Sequence, residues 1–297
     1  MAAVMRSAAV RCAGVRRAPC PRLAARQAVR QQLLWGARPQ AQPLRQQRLI
    51  RASATATKEG KYGKQPKGPE ESLEYRVFVQ RDGKEISCWH DIPLYAEDGA
   101  LNMVVEIPKE TSAKMECATD EPSNPIKQDI KKGKLRYYPY NINWNYGMLP
   151  QTWEDPMHLT PEADNAGGDN DPVDVVEIGS ATLVTGGVYK VKPLGVYAMI
   201  DDGEVDWKVI AINVDDPKAA SVNDVEDVER EFPGELEKIL TWFRDYKIPD
   251  GKPANKFGYD SQALNKEFAL DVIKETHTFY NNLKNGQREN DKGLALQ

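Results

Sequence analysis

Residues 188–214 read VYKVKPLGVYAMIDDGEVDWKVIAINV. Apolar residues alternate or run together over 188–191, 195–200 and 207–214, which predicts strands. The polar break between the second and third strands is not a neutral turn but an acidic cluster, Asp201, Asp202, Glu204 and Asp206, followed by Lys208. Outward from this stretch the same β reading extends to residues 74–80, 102–107 and 172–178. Beyond Asn223 the period changes. Residues 224–246 take helical spacing, and residues 261–284 take it more cleanly, with Ala269, Val272, Ile273, Thr276, Tyr280 and Leu283 marking one face. Many short strands followed by helices predict an α+β domain whose sheet is curled or closed, with helices packed outside it.

The chain has 297 residues with 40% hydrophobic content, enough for a globular core. Residues 1–57 hold eleven arginines, no lysine and no acid; the first acid is Glu59. Arginines 16, 17, 22, 26 and 30 interrupt every apolar run that a secretory signal would need. This composition predicts a disordered, cleaved organelle transit peptide over 1–57 rather than a basic arm for nucleic acid. Residues 58–72, rich in Gly, Pro, Lys and Glu, are expected to be a flexible mature N-terminus, 73–285 the folded domain and 286–297 a flexible C-terminal tail. Removing 1–57 changes the formal charge from −4 to −15. Such a body repels nucleic acid and anionic membranes, so an anionic substrate needs a local cluster of cations or bound metal. No stretch of 18 apolar residues occurs, so no spanning helix is expected. Cys88 and Cys117, outside the leader, lack metal-ligand spacing and a disulfide framework is not expected.

Between Arg136 and Lys190 there is no Lys or Arg but eight acids, three of them in GGDNDPVD (167–174). On an extended backbone Asp169 and Asp171 would face one side about 6.6 Å apart, and Pro172 biases Asp171 to extended geometry. Two such charges repel by about 2–3 kcal/mol at an effective dielectric near 20. Asp174 adds to that, and a divalent cation would remove it. A solvated acidic loop could also carry a D-x-D pattern; the second cluster at 201–206 shifts the reading to metal. The candidate ligands are oxygens, and only His90, His158 and His277 could supply nitrogen, which disfavours zinc and favours Mg²⁺. An EF-hand is excluded by Val173 and Val205 at position five and by Asp174 in the glycine's place. Lys114, Arg136, Lys208, Tyr246 and Lys247 sit beside polar or aromatic residues rather than in helical charge ladders. Acids that hold Mg²⁺ together with cations and phenols that hold phosphate oxygens are what phosphoryl transfer demands.

The run GDNDPVDV (168–175) resembles the signature of family I soluble inorganic pyrophosphatases of the longer animal and fungal type. The likeness extends from about Tyr75 to His277 through HDIPLY (90–95), NMVVEIP (102–108), NYG (145–147), QTWEDP (151–156), DWKVIA (206–211) and 242–253. It implies an OB-like five-stranded β-barrel with flanking α-helices that requires Mg²⁺ and hydrolyses pyrophosphate to two phosphates. By position it implies Glu116, Asp169, Asp174, Asp201 and Asp206 as metal ligands, with Asp171 as general base on a water bridging the metals. It likewise implies Glu106 as support for that shell and Lys114, Arg136, Tyr146, Lys208, Tyr246 and Lys247 as the phosphate-binding groups. Between Arg136 and Tyr146 the chain is shorter than the fungal pattern; a further family tyrosine falls near Ile142, leaving open whether Tyr140 replaces it. The alternatives are a haloacid-dehalogenase-like phosphatase, whose D-x-D-x-[TV] motif is met by Asp169, Asp171 and Val173, and a non-catalytic acidic metal-binding protein. The expected compartment is the plastid (chloroplast stroma), with the mitochondrial matrix as alternative. The expected partner is pyrophosphate alone, with no nucleic acid or membrane, in a monomer or homodimer.

Overall fold

The computed structural model describes residues 61–297. The predicted transit peptide lies outside the described residues. Five strands close into a ring: β1 (Leu101–Ile107), β2 (Asn145–Met148), β3 (Asp174–Glu177), β4 (Val188–Asp201) and β5 (Glu204–Asn213). Around the ring β1 pairs β2, β2 pairs β3, β3 runs parallel to β5, β5 pairs β4, and β4 returns to β1; all pairs but β3–β5 are antiparallel. This is the expected five-stranded barrel, and closure leaves it without a free edge.

The two strands expected at 188–191 and 195–200 are one. A bulge between Pro193 and Gly195 shifts the register without ending the strand. Pro193 has no N–H for the ladder, and a bulge is where a sheet accepts it. The bend lets the first half of β4 pair with β1 while the second half follows β5 to its tip. There Asp202 (φ +50°) and Gly203 (φ +96°) form the two-residue turn, both left-handed. Such a hairpin turn favours an Asp-Gly pair. It puts Asp201 and Asp206 near the same barrel end.

Strand alternation splits the core. Along β5, Val205, Trp207, Val209 and Ala211 join one apolar cluster with Ala269, Val272 and Ile273 of α3 (Lys266–Lys284). Ile210 and Ile212, on the face of Asp206 and Lys208, join the other with Ile239, Trp242 and Phe243 of α2 (Glu235–Asp245). The six residues expected on the inner face of the last helix are its buried residues. That helix starts at Lys266, where the Asn265 side chain accepts from Phe268 N at 3.0 Å, not at 261. The pattern at 224–246 is two helices, α1 (Val225–Glu231) and α2, because Pro233 cannot sit in a helix interior and Gly234 takes φ +76°.

Two segments expected to be flexible contain residues with defined contacts. Within 58–72, Tyr62–Lys67 is a strand paired antiparallel with Arg76–Arg81, at the edge of a second sheet that continues through Ile126–Gln128 to Met115–Cys117. Its side chains are mostly exposed, so backbone hydrogen bonds rather than apolar burial hold it. Within 286–297, Leu294 is buried and Ala295 N donates to Thr119 O at 2.7 Å.

Candidate active site

All thirteen residues singled out from the sequence line one cavity of about 160 Å³ at the barrel's end. Glu106 comes from β1, Tyr146 from β2, Asp174 from the start of β3, Asp201 from the end of β4, and Asp206 and Lys208 from β5. Parallel register sets Asp174 beside Lys208. Lys114 and Glu116 come from the strand Met115–Cys117 and the residue before it, and Cys117 N donates to Glu106 Oε1 at 2.7 Å. Tyr246 and Lys247 follow the last turn of α2. A barrel end thus collects residues as much as 141 positions apart in the chain.

The D-x-D segment is not an extended strand. Asn170 is left-handed (φ +76°), and Asp171 N donates back to Asp169 Oδ1 at 2.9 Å. The strand begins only at Asp174. Both carboxylates still line the cavity, now because the loop is held from behind: Gly168 N donates to Asp155 O at 3.1 Å, Asn170 N to Glu154 O at 3.0 Å, and Glu154 N to Asp171 O at 3.0 Å. A Cβ on Gly168 would lie 2.4 Å from the Glu154 carbonyl carbon, so only glycine permits this approach.

Cations and acids interleave. Lys208, 2% exposed, donates to Asp174 Oδ2 at 2.5 Å, to Tyr146 Oη at 2.9 Å and to Asp206; Tyr146 Oη donates in turn to Asp174. Lys247 donates to Asp201 and, at 3.1 Å, to Asp202, while Tyr246 Oη donates to Asp201 Oδ2 at 2.9 Å. Lys114 reaches Glu116 at 2.6 Å and Asp129 at 3.3 Å, and Arg136 reaches the same Asp129 oxygen at 2.7 Å. Burial pushes Asp171 up to about 7, helped by the charges of Glu116 and Asp174; burial likewise raises Asp206 to about 7 against the pull of Lys208. Asp169, Glu106 and Glu154 are raised too, first by burial. Burial alone would lower Lys208 and Lys114, yet neighbouring carboxylates hold both above the ordinary lysine value. Carboxyl groups whose proton affinity burial has raised would give up those protons to a polyvalent cation bound among them.

The donor set fits a hard cation. Glu154, Asp169 and Asp206 each place a carboxylate oxygen within 4.8 Å of the others, with no sulfur or nitrogen among them. Sequence reasoning missed Glu154, although it stands in the QTWEDP run, and missed Asp129, which neutralises Lys114 and Arg136. It also passed over Tyr138: that ring lines the cavity, its hydroxyl pushed up to about 12 by burial, whereas Tyr140 is exposed and Ile142 is fully buried. Only the fold distinguishes the two tyrosines: two positions apart, they would share a face of a regular strand, but the register of Tyr137–Ile142 shifts within the strand, and Tyr138 is buried while Tyr140 is exposed.

A family model described as inorganic pyrophosphatase matches residues 103–281. The chain is 69% identical over 248 residues to the soluble inorganic pyrophosphatase 1, chloroplastic, of Chlamydomonas reinhardtii, covering 83% of this chain and 88% of that one. It is 64% identical over 214 residues to the soluble inorganic pyrophosphatase 6, chloroplastic, of Arabidopsis thaliana, covering 72% and 71%. The crystal structure of type I inorganic pyrophosphatase from Toxoplasma gondii superposes with TM-score 0.72 at 47% identity, covering 75% of this chain and 99% of that chain. With barrel, cavity and sequence in agreement, the chain belongs to the inorganic pyrophosphatase family.

Proposed function

We propose that this chain carries out its family's reaction, hydrolysis of pyrophosphate to two orthophosphates, with Mg²⁺ as the metal and Asp171 as the general base. The observation that carries the proposal is one cavity in which four cations and three phenols interleave with six carboxylates and Glu106. When bound, Mg²⁺ supplies charge neutralisation and polarises the attacking water. Asp169, Asp174, Asp201, Asp206 and Glu116 would hold it, leaving Asp171 to take the proton as water adds to phosphorus. Lys114, Arg136, Lys208 and Lys247, released from their present acid partners, would take the phosphate oxygens and neutralise the departing phosphate. Tyr146 and Tyr246 would fix its orientation by donating hydrogen bonds. No observation favours a phosphorylated Asp169 or a non-catalytic role.

We place the enzyme in the plastid, specifically the stroma, on the acid-free arginine-rich start and the chloroplastic relatives. Among the described residues no helix is long and apolar enough to cross a membrane. Paired variants test the site roles. Asp171→Asn keeps the shape but loses basicity, so turnover should fall about 10²–10⁴-fold with Mg²⁺ still bound, whereas Asp174→Asn should be partly rescued at high Mg²⁺. Near-native turnover of Asp171→Asn at saturating Mg²⁺ and neutral pH would remove Asp171 from its role.

A further inference from the structure

The loop that carries Asp171 has a brace that the reaction chemistry does not explain. Thr119 Oγ1 donates to Asp171 Oδ1 at 3.3 Å. That is long for a hydroxyl on a carboxylate, as catalytic hydrogen bonds often are before ligand closes the site. Thr119 is itself held. Its carbonyl accepts from Ala295 N at 2.7 Å, and Ala295 O accepts from Asn124 Nδ2 at 3.1 Å and pairs with His90 Nε2 at 2.9 Å. The last residues therefore do not trail off. Asn290 closes a small loop by accepting from Leu294 N at 2.9 Å and donating to Leu294 O at 2.8 Å, and Leu294 is buried in the core.

The same segment grips the catalytic loop from its other side. Arg288 Nε donates to Asp155 Oδ2 at 3.1 Å, with its guanidinium 5.6 Å from the centre of the Trp153 ring. Asp155 and Glu154 are the residues whose backbone holds Gly168, Asn170 and Asp171. Residues 288–295 thus touch both supports of one loop.

We propose that residues 288–295 are a strap that positions Asp171: Ala295 fixes the Thr119 backbone so that the Thr119 hydroxyl orients the Asp171 carboxylate, and Arg288 fixes the backbone behind it. The proposal rests on Asp171 as the base. Thr119 and Ala295 are positioning residues; neither lines the cavity.

The test is steady-state pyrophosphate hydrolysis by the full chain carrying Thr119→Val, Thr119→Ser, Ala295→Pro, which removes the N–H, and the pair Thr119→Val with Ala295→Pro. Loss of a hydrogen bond to a charged group should lower kcat about tenfold in Thr119→Val, with KM and Mg²⁺ affinity unchanged. Thr119→Ser should restore kcat. Ala295→Pro should lower kcat alone but add little to Thr119→Val, because both act on one contact. Unchanged kcat in Thr119→Val, or losses that multiply in the pair, would overturn the proposal. Should Ala295→Pro not fold, the Thr119→Val and Thr119→Ser comparison decides. If Asp171→Asn loses turnover while Thr119→Val keeps it, the strap alone fails; if both keep it, the base assignment has failed.

Discussion

Replacing Lys208 by Met separates metal from lysine as the source of charge balance in the cavity. Met keeps most of the unbranched stem and removes the ammonium. Lys208 is 2% exposed and lies between Asp174, at 2.5 Å, and Asp206. Removing one partner of a buried ion pair leaves uncompensated charge and costs about 3–5 kcal/mol. For a folded body of 150–250 residues each kcal/mol moves Tm by about 2–4 °C, so the metal-free variant should melt about 6–20 °C lower. Two effects temper the loss. Asp206, already raised to about 7, should rise further without Lys208 and hold its proton at neutral pH, so the deficit should be larger at pH 8.5 than at pH 6. A cation bound to the same carboxylates replaces the missing charge, and saturation to 100 times Kd contributes about 2.7 kcal/mol. Differential scanning calorimetry in chelator and in excess Mg²⁺, at both pH values, reads all three terms. With Lys208 in its proposed phosphate-binding role, turnover should stay about 10²–10³-fold down even when Mg²⁺ restores Tm. A Tm deficit independent of both pH and Mg²⁺ would refute the reasoning and reduce Lys208 to a packing residue.

Other expectations follow from the same geometry. Asp171 and Asp206 have folded values near 7 against an ordinary 3.8; being raised rather than lowered, they bind more protons folded than unfolded, so metal-free stability should fall as pH climbs from about 4 to 7. The Tm gain on adding Mg²⁺ should accordingly be greater at pH 8 than at pH 5.5, and an equal gain at both would contradict it. Gly168→Ala should lower Mg²⁺ affinity and turnover through displacement of Asp169 from Glu154, read by metal titration. Ca²⁺, larger and less demanding of octahedral geometry, should bind and inhibit; competition assays against Mg²⁺ check this. A chain beginning at Gly60 should fold and hydrolyse pyrophosphate, measured by phosphate release, if 1–57 is a dispensable leader.

Much of this was legible in the sequence because the barrel strands and the last helix are amphipathic, so period alone separates Val205, Trp207 and Val209 from Asp206 and Lys208. The acidic runs were legible because unpaired like charge has few stable settings. What escaped has no periodic signature. Tyr62–Lys67 is polar and exposed, and pairs through its backbone. The 288–295 strap rests on one buried leucine and a few tertiary hydrogen bonds. Asp129 and Glu154 look like ordinary acids until the fold sets them beside Lys114 and Asp169. The left-handed turn at Asn170 breaks the extended run one residue before the position that Pro172 restricts, and bonds to Glu154 and Asp155 fix the loop.

The central claim is that this cavity hydrolyses pyrophosphate only with a divalent cation between its carboxylates and the phosphate. Phosphate release by the purified chain, with pyrophosphate as sole substrate, in Mg²⁺ and then in excess chelator, tests it most directly. Two phosphates per pyrophosphate consumed in Mg²⁺, and none above background in chelator, is the predicted result; full turnover in chelator, or no release in Mg²⁺, would contradict it.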